Sequence, residues 1–361
     1  MSLSDLQQQP TSRPLVAISV SFERDNLLAR GLGLDHLKEL LVRLTRPLLR
    51  QGVSLAYGGH WDEREDNFTY ELLRLVSAEQ ADETEHRMAS APPATIGNEC
   101  LPERPSAGRL INHAAWPHYL KITPSIEAQW INCCRIVRVT PVMAGIEPGE
   151  TVTADRLVVR PDDKDYPAQA LLHGALCLSA MRQIMMHGVS LPIADSEPPD
   201  AIKPISARIV LGGKLTGYQG FVPGIFEEAL LSLESRSPIY LLGGFGGATE
   251  ALAEALLAAP SAAKPDALRE AWQRQNTPLL ARLQDACASN PHPASVRKTS
   301  ELLSALDAAI SKAQGNPDKA LNNGLSLTEN ETLLTTRDMR EALGLVHEGL
   351  ARLGLMKALQ D

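Results

Sequence analysis

Four things are scarce in this chain of 361 residues, and each scarcity excludes a class of function. Aromatic residues make up only 4%, too few for the stacking platforms that hold single-stranded nucleic acid. Basic residues are outnumbered, 35 against 43 acidic, and the formal net charge of −8 argues against broad binding to nucleic acid or an anionic membrane. A local basic pocket for phosphate is still compatible with that balance. Cysteine is sparse: Cys100, Cys133, Cys134, Cys177 and Cys287, an odd number with no C-x-x-C pair. This predicts reduced, mostly buried thiols in a cytoplasmic protein and no zinc site. Long apolar runs are missing too. Met1–Arg13 is polar and lacks the apolar core of a signal peptide, and no stretch reaches bilayer length. The histidines show no H-E-x-x-H or other metal-ligand spacing, so no metal is expected.

What is present is an ordinary globular composition, 44% hydrophobic and 22% charged, in a chain long enough for a large core. Met1–Pro14 reads as a flexible arm. Leu15–Ser21 reads as a buried strand. The pattern Leu34, Leu37, Leu41, Leu44, Leu48 predicts a helix, with Asp35 near its start and Gly52 just past its end. Pro47 predicts a kink or an early stop in it. Val53–Ala56 is a second strand that ends in Gly58-Gly59-His60, and Asn67 is placed to cap a helix over Phe68–Val76. From Ser77 to about Arg109 the text is loop-like. Leu110–His113 and Ile131–Thr140 read as strands, with a Gly-, Pro- and acid-rich section over Ala144–Asp163. A long helix over Tyr166–His187 follows, with Pro167 suited to its start and Gly188 to its C-cap. Leu191–Pro204 reads as a Pro-rich loop.

The most informative stretch is Ala207–Leu256. Two apolar runs, Ile209–Leu211 and Ile239–Leu242, end in Gly212-Gly213 and Gly243-Gly244, and a helical pattern follows each. Strand, glycine loop, helix is thus written twice here and once more at Gly58-Gly59. Glycine lets a ligand approach the backbone, and a helix start behind it offers free N–H groups and a positive dipole end. The pattern predicts a mostly parallel α/β sheet with a phosphate-bearing ligand at the loops. The Walker spacing G-x-x-x-x-G-K-[ST] and the fingerprint G-x-G-x-x-G are both missing, which disfavours a P-loop or an ordinary dinucleotide site. Beyond Ala258, helical patterns over Leu268–Asn276, Leu279–Ala288, Ala294–Gln314 and Arg337–Leu355 predict a C-terminal helical section, with a turn at Asn322-Asn323-Gly324.

Candidate ligand groups follow from these loops. Lys214 could reach phosphate as a point charge, or could be a solvated loop lysine. Ser19 and Ser21 end the first strand, and Arg30 lies in the loop after it. Tyr218 and Phe245 sit inside the glycine loops, where each could stack on a base or simply pack the loop. Gly220 and Pro223-Gly224 lie before a helix start, and Glu228 is in its first turn. Glu250 is in the first turn after Gly247 and could meet ribose hydroxyls or stabilise an oxocarbenium ion. The dipole alone also favours glutamate at both places. His60 follows the second strand at the end where open sheets bind ligands.

Gly243-Gly244-Phe245-Gly246-Gly247 followed by Thr249-Glu250 resembles the P-G-G-x-G-T-x-x-E motif of the LOG family of nucleotide phosphoribohydrolases, with Leu242 at its Pro and Gly247 at its Thr. The segments ARGLGLDHLKELL, LAYGGHW, NFTYELL, INHAAWPHYL, ARIVLGGKLTGYQGFVPGIFEEALL, PIYLLGGFGGATEALAEAL and NNGLSLTENETLLTTRD resemble the SLOG superfamily more closely. They resemble in particular its prokaryotic branch related to the N-terminal domain of melastatin-type TRP channels. The resemblance implies a Rossmann-like nucleotide-binding domain over 15–260 with a helical section over 261–361 packed on it. It implies an ADP-ribose-like ligand and, by analogy with superfamily members that sense such ligands in bacterial antiphage systems, a sensor. No effector domain is recognisable in the sequence, so a homo-oligomer or a separate effector protein is the expected partner. Hydrolysis of a nucleotide N-glycosidic bond with Glu250 as the key carboxylate is the alternative. Gly58, Gly59, Gly212, Gly213, Gly243, Gly244, Gly246 and Gly247 would line the phosphate side. Lys214 and Arg30 would add charge, and Glu228 and Glu250 would meet ribose.

Overall fold

The apolar run Leu15–Ser21 forms β1, paired in parallel on both sides and buried on both faces, as a central strand of a parallel sheet must be. The structure is a computed structural model. It describes residues 13–62, 67–90, 108–150, 164–191, 200–290, 292–293 and 296–357. All but the last two residues of the expected N-terminal arm lie outside these, as do Cys100 and residues 151–163.

After β1 come the short α1 (Arg24–Leu28), α2 (Leu34–Arg50), β2 (Ser54–Gly58), α3 (Phe68–Ser90) and β3 (Leu110–Ala115). Next are α4 (Pro124–Trp130), β4 (Cys134–Val139), α5 (Ala168–His187) and a two-stranded antiparallel pair, β5 (Val189–Leu191) and β6 (Asp200–Ile202). The chain then returns to the main sheet as β7 (Ala207–Gly212), α6 (Gly224–Glu234), β8 (Ile239–Leu242) and α7 (Gly247–Leu257). It closes with α8 (Glu270–Asn276), α9 (Pro278–Ser289), α10 (Thr299–Ala313), α11 (Pro317–Leu321), α12 (Leu327–Thr335) and α13 (Met339–Arg352).

The six-stranded sheet has the order β4-β3-β2-β1-β7-β8 and is parallel throughout. Parallel neighbours need crossovers, and the helices that supply them cover both faces. On one face Val16, Ile18, Leu55 and Ile209 pack with Leu37, Leu41, Leu44 and Leu48 of α2 and with Phe68 and Leu72 of α3. On the other face Val137, Val139, Val210 and Leu241 pack with α5, α6 and α7. The C-terminal helices divide between these layers. Leu302, Leu303, Leu306 and Ile310 of α10 join one core, and Ala342, Val346 and Leu350 of α13 join the other.

The sequence reading and the structure differ in four places, each for a physical reason. The third helix does not stop near Val76 but continues to Ser90, anchored by Glu79, which is buried and bonded to Arg50 at 2.9 Å. Only 91–107 of the expected loop remains, outside the described residues. α2 runs through Pro47 to Arg50, because Leu44, Leu48 and Leu49 around the proline are fully buried and outweigh one lost backbone bond. The stretch expected as a loop after Leu191 contributes β6, which pairs β5 through Leu191↔Asp200. Between Gln314 and Arg337 two helices, α11 and α12, flank the predicted Asn322–Gly324 turn. Both are five to nine residues long, too short to show helical periodicity.

That turn seals the β8 edge. Asn323 is fully buried. Its Nδ2 donates to the Ile239 carbonyl at 3.0 Å and to Asn330 Oδ1 at 2.8 Å, and its own carbonyl accepts the Tyr240 hydroxyl at 2.7 Å. Losing the Asn323 side chain removes the partner of the Ile239 carbonyl, Asn330 Oδ1 and the Leu325 N–H, at a cost of about 1–3 kcal/mol for each buried group left unpaired, while Tyr240 keeps its bond to the backbone carbonyl. Asn323→Ala should therefore lower the denaturant midpoint by a few kcal/mol equivalent at unchanged m. A loss within about 0.5 kcal/mol, the range of ordinary surface substitutions, would contradict this role.

Candidate functional site

From β1 the strands step outward to β4. The chain then returns through α5 to β7, on the other side of β1. In open α/β sheets ligands bind beyond the carboxyl ends of the strands at such a reversal. A cleft of about 190 Å³ lies there. Val20, Ser21 and Phe22 at the end of β1 form its floor, Tyr57, Gly58, Gly59 and His60 the β2 wall, and Ala115 and His118 the β3 side. Lys214 enters from the β7 loop, and Leu178 and Met181 of α5 close the back.

The β2 glycines are there for space. A Cβ on Gly58 would stand 2.8 Å from the Met181 methyl, and one on Gly59 would overlap the Tyr57 ring. The turn beyond them is pinned by Thr69 Oγ1, which donates to the His60 carbonyl at 2.8 Å, and by Asn67, whose Oδ1 caps α3 by accepting the Thr69 N–H at 2.8 Å. The His60 and His118 rings lie 6.5 Å apart between centroids. Burial first, then the neighbouring His60 and Lys121, hold His118 down to about 4. His118 is therefore a neutral imidazole at pH 7. Lys121 is paired with Asp62, whereas no ion pair among the described residues holds the Lys214 ammonium. The cleft thus offers one uncommitted cation, neutral imidazole and close backbone approach.

Of the residues singled out in sequence, Ser21, Gly58, Gly59, His60 and Lys214 meet in this cleft. The others do not line it. Ser19 and Glu228 bond to each other beneath the sheet surface, and Arg208 Nη1 donates to both, at 2.9 and 2.8 Å. Arg182 completes the group, at 2.5 Å from Glu227 and 3.6 Å from Glu228. Gly220 and Gly224 pack against the Arg182 guanidinium, and Pro223 precedes α6 as its N-cap. Tyr218 is buried, with its hydroxyl bonded to Gln273 at 2.8 Å, and burial pushes its pKa up. Phe245 is a core residue.

The second glycine loop is a joint rather than a ligand wall. A Cβ on Gly243 would overlap the Leu334 carbonyl, and one on Gly244 the Thr336 carbonyl. Three N–H groups at this loop have partners within the chain. Gly246 donates to Gly243 O at 3.1 Å, Gly247 to Asn26 Oδ1 at 2.8 Å and Ala248 to Gly213 O at 3.0 Å. Arg30 and Glu250 satisfy each other through two bonds, with Nε to Oε1 at 3.0 Å. Among residues the motifs did not single out, Phe22 was findable from its place just past β1. Leu178 and Met181 were not, because they reach the cleft only through the tertiary placement of α5.

An open, doubly wound parallel α/β domain with a cleft at its switch point defines the class. Within it, the chain matches the SLOG cluster2 family model over residues 10–194 and 199–333 and belongs to that family. The family points to a nucleotide-related function. No curated protein matches the chain significantly.

The buried histidines make stability depend on pH. His113, fully buried in β3, is held down to about 4 by burial first and Arg208 second. Its folded value lies below the unfolded value of about 6.5, so the unfolded chain binds protons first. The contribution is complete above about pH 6.5 and is lost as pH falls toward 4. The melting temperature should fall over that window, and less steeply in His113→Gln. Equal slopes for the two proteins would contradict the assignment.

Proposed function

We propose that the switch-point cleft binds a phosphate-bearing nucleotide of the ADP-ribose type, and that the protein senses this ligand rather than consuming it. One observation carries the reading: the uncommitted Lys214 ammonium stands at the end of β7, two strands from a β2 wall made of backbone at Gly58-Gly59. A point charge beside close-approach backbone is what a phosphate uses. At about 190 Å³ the cleft is smaller than the ~300–1,000 Å³ of sites that enclose drug-sized ligands. It would seat a phosphate and its sugar, with the remainder over the rim toward His60 and His118. The neutral His118 imidazole suits hydroxyl and base edges, which present donors and acceptors without charge. Family membership supports a nucleotide as the ligand class. A sensor of this kind would act through a second copy of itself or a separate effector, in an antiphage role such as the superfamily resemblance implies.

A thermal-shift panel of AMP, ADP, NAD, ADP-ribose and cyclic ADP-ribose tests the reading. A ligand at a hundred times its dissociation constant should add about 2.7 kcal/mol. Lys214→Ala should weaken binding about 10-fold or more, since a hydrogen bond to a charged group is worth about 1.5–3 kcal/mol. Gly58→Val should block binding by filling the space before Met181. No stabilisation by any of these in the folded wild type, or full affinity in Gly58→Val, would sink the proposal. Chromatography of the incubated mixture should return the ligand intact. Release of free base would replace the sensor with a hydrolase.

A further inference from the structure

The segment Phe22–Arg30, which links β1 to α2 and contains α1, lies across both glycine loops of the β7–β8 half. Three of its polar side chains, Glu23, Asn26 and Arg30, bond to those loops or to the helix behind them. The Glu23 carboxylate accepts the Leu215 N–H at 3.0 Å through Oε2 and the Thr216 hydroxyl at 2.9 Å through Oε1. Three residues on, Asn26 Oδ1 accepts the Gly247 N–H at 2.8 Å. Arg30 then closes the strap onto Glu250. The outward side is solvent: Leu28 is 56% exposed. A five-residue helix held to the body by one buried leucine, Leu27, a carboxylate, an amide and one ion pair is a lightly fastened element.

Glu23 is seated where an anion belongs. Leu215 and Thr216 follow Lys214 directly, and Ser21 and Phe22 precede Glu23 directly. Lys214, Ser21 and Phe22 all line the cleft. The carboxylate therefore occupies two convergent donors on the residues that directly follow Lys214, one residue beyond the cleft lining on both segments.

We propose that Lys214–Thr216 is an anion seat filled by Glu23 in the ligand-free protein, and that a phosphate of the bound nucleotide takes the seat by displacing Glu23 and loosening the strap. The inference rests on the nucleotide reading of the cleft. Two anions cannot share the same donors. A phosphate in the cleft is attracted by Lys214, repelled by Glu23 and able to accept the same two hydrogen bonds in charge-assisted form. An intramolecular occupant lowers apparent affinity by the fraction of time the seat is free. Release of the strap is then driven by the ligand's preference for the open seat, which is the requirement for a sensing transition.

The test uses the full chain with ADP-ribose and with inorganic pyrophosphate as probes. Glu23→Gln keeps the size of the side chain but removes the charge that competes with phosphate. It should tighten binding of both probes about 5- to 10-fold, the factor by which freeing a mostly occupied seat raises apparent affinity. Asn26→Ala unfastens the neighbouring contact without altering the seat and should shift affinity in the same direction by a smaller factor. It also carries the test if Glu23→Gln fails to fold. In the wild type, amide exchange across residues 22–30 should accelerate when the probe is bound. Wild-type binding with unchanged or weaker affinity in the variants, or with a strap more protected by ligand, overturns the seat and leaves the cleft standing. Binding of neither probe by wild type or variants overturns the nucleotide reading, and the seat falls with it.

Discussion

The Gly213 carbonyl accepts the Ala248 N–H at 3.0 Å, and the Gly212 carbonyl accepts the Thr249 hydroxyl at 2.9 Å. Through these two bonds the loop after β7 and the first turn of α7 are locked face to face. The lock demands glycine on both sides. Gly213 has φ +102° and Gly247 φ +68°, and a Cβ on Gly247 would overlap the Gly213 carbonyl. The contact sets where the β7 loop can turn and therefore where Lys214 emerges. It also sets the start of α7, whose Leu252 and Leu256 fill the core on that face. Fold and candidate site thus depend on the same few atoms of backbone.

A second constraint lies beneath the sheet. Arg208 is fully buried, and Glu227, Glu228 and Arg182 are nearly so, giving two charges of each sign in one group. Desolvation lowers the Arg208 pKa while Glu228 opposes that shift. Such a group survives only when its charges are matched, and removing one partner typically costs about 3–5 kcal/mol. The network ties β1, β7, α5 and α6 together through Ser19, Arg208, Arg182 and Glu228. It holds α5, and with it Leu178 and Met181, at the back of the cleft. Glu228 lies in this network and not in the lining of the cleft.

This distinction shows what could be read in the sequence. The central strands were legible because a parallel strand buried on both faces is a short run of apolar and small residues, as in Leu15–Ser21 and Ala207–Gly212. The Gly58-Gly59 turn that walls the cleft followed from the glycine pairs that end such runs, whereas the reversal of strand order at β1 is set by tertiary structure. What was not legible was direction. Glu228 and Glu250 both occupy first turns, where the dipole favours a carboxylate whatever it faces. One is buried against Arg208 and Arg182, and the other is tied to Arg30 in the turn after α1, a pairing across 220 residues that no local pattern reveals. Tyr218 and Phe245 look alike in their loops, yet both are core residues. A glycine motif states that backbone must come close to something. It does not state whether that something is a ligand or another piece of chain: Gly58 and Gly59 line the cleft yet leave room for Met181 and Tyr57, and Gly243 and Gly244 sit against α12.

The two glycine loops of the β7–β8 half therefore divide the work unequally. Around Gly243–Gly247 every neighbour is backbone or packed side chain, and each added atom would overlap something, so that joint has no second position to adopt. The strap over it is different, because beyond the single buried Leu27 of α1 its contacts to the glycine loops are polar and few. Signals in proteins travel through elements that have two arrangements, and contiguity alone does not supply them. Occupancy of the cleft can be passed on from here only by an element that both touches the Lys214 loop and can leave it. Phe22–Arg30 does the first through Glu23 and reaches α7 through Asn26 and Arg30. Movement of that strap would expose the start of α7 and the Glu250 carboxylate together, on the surface where α1 now lies.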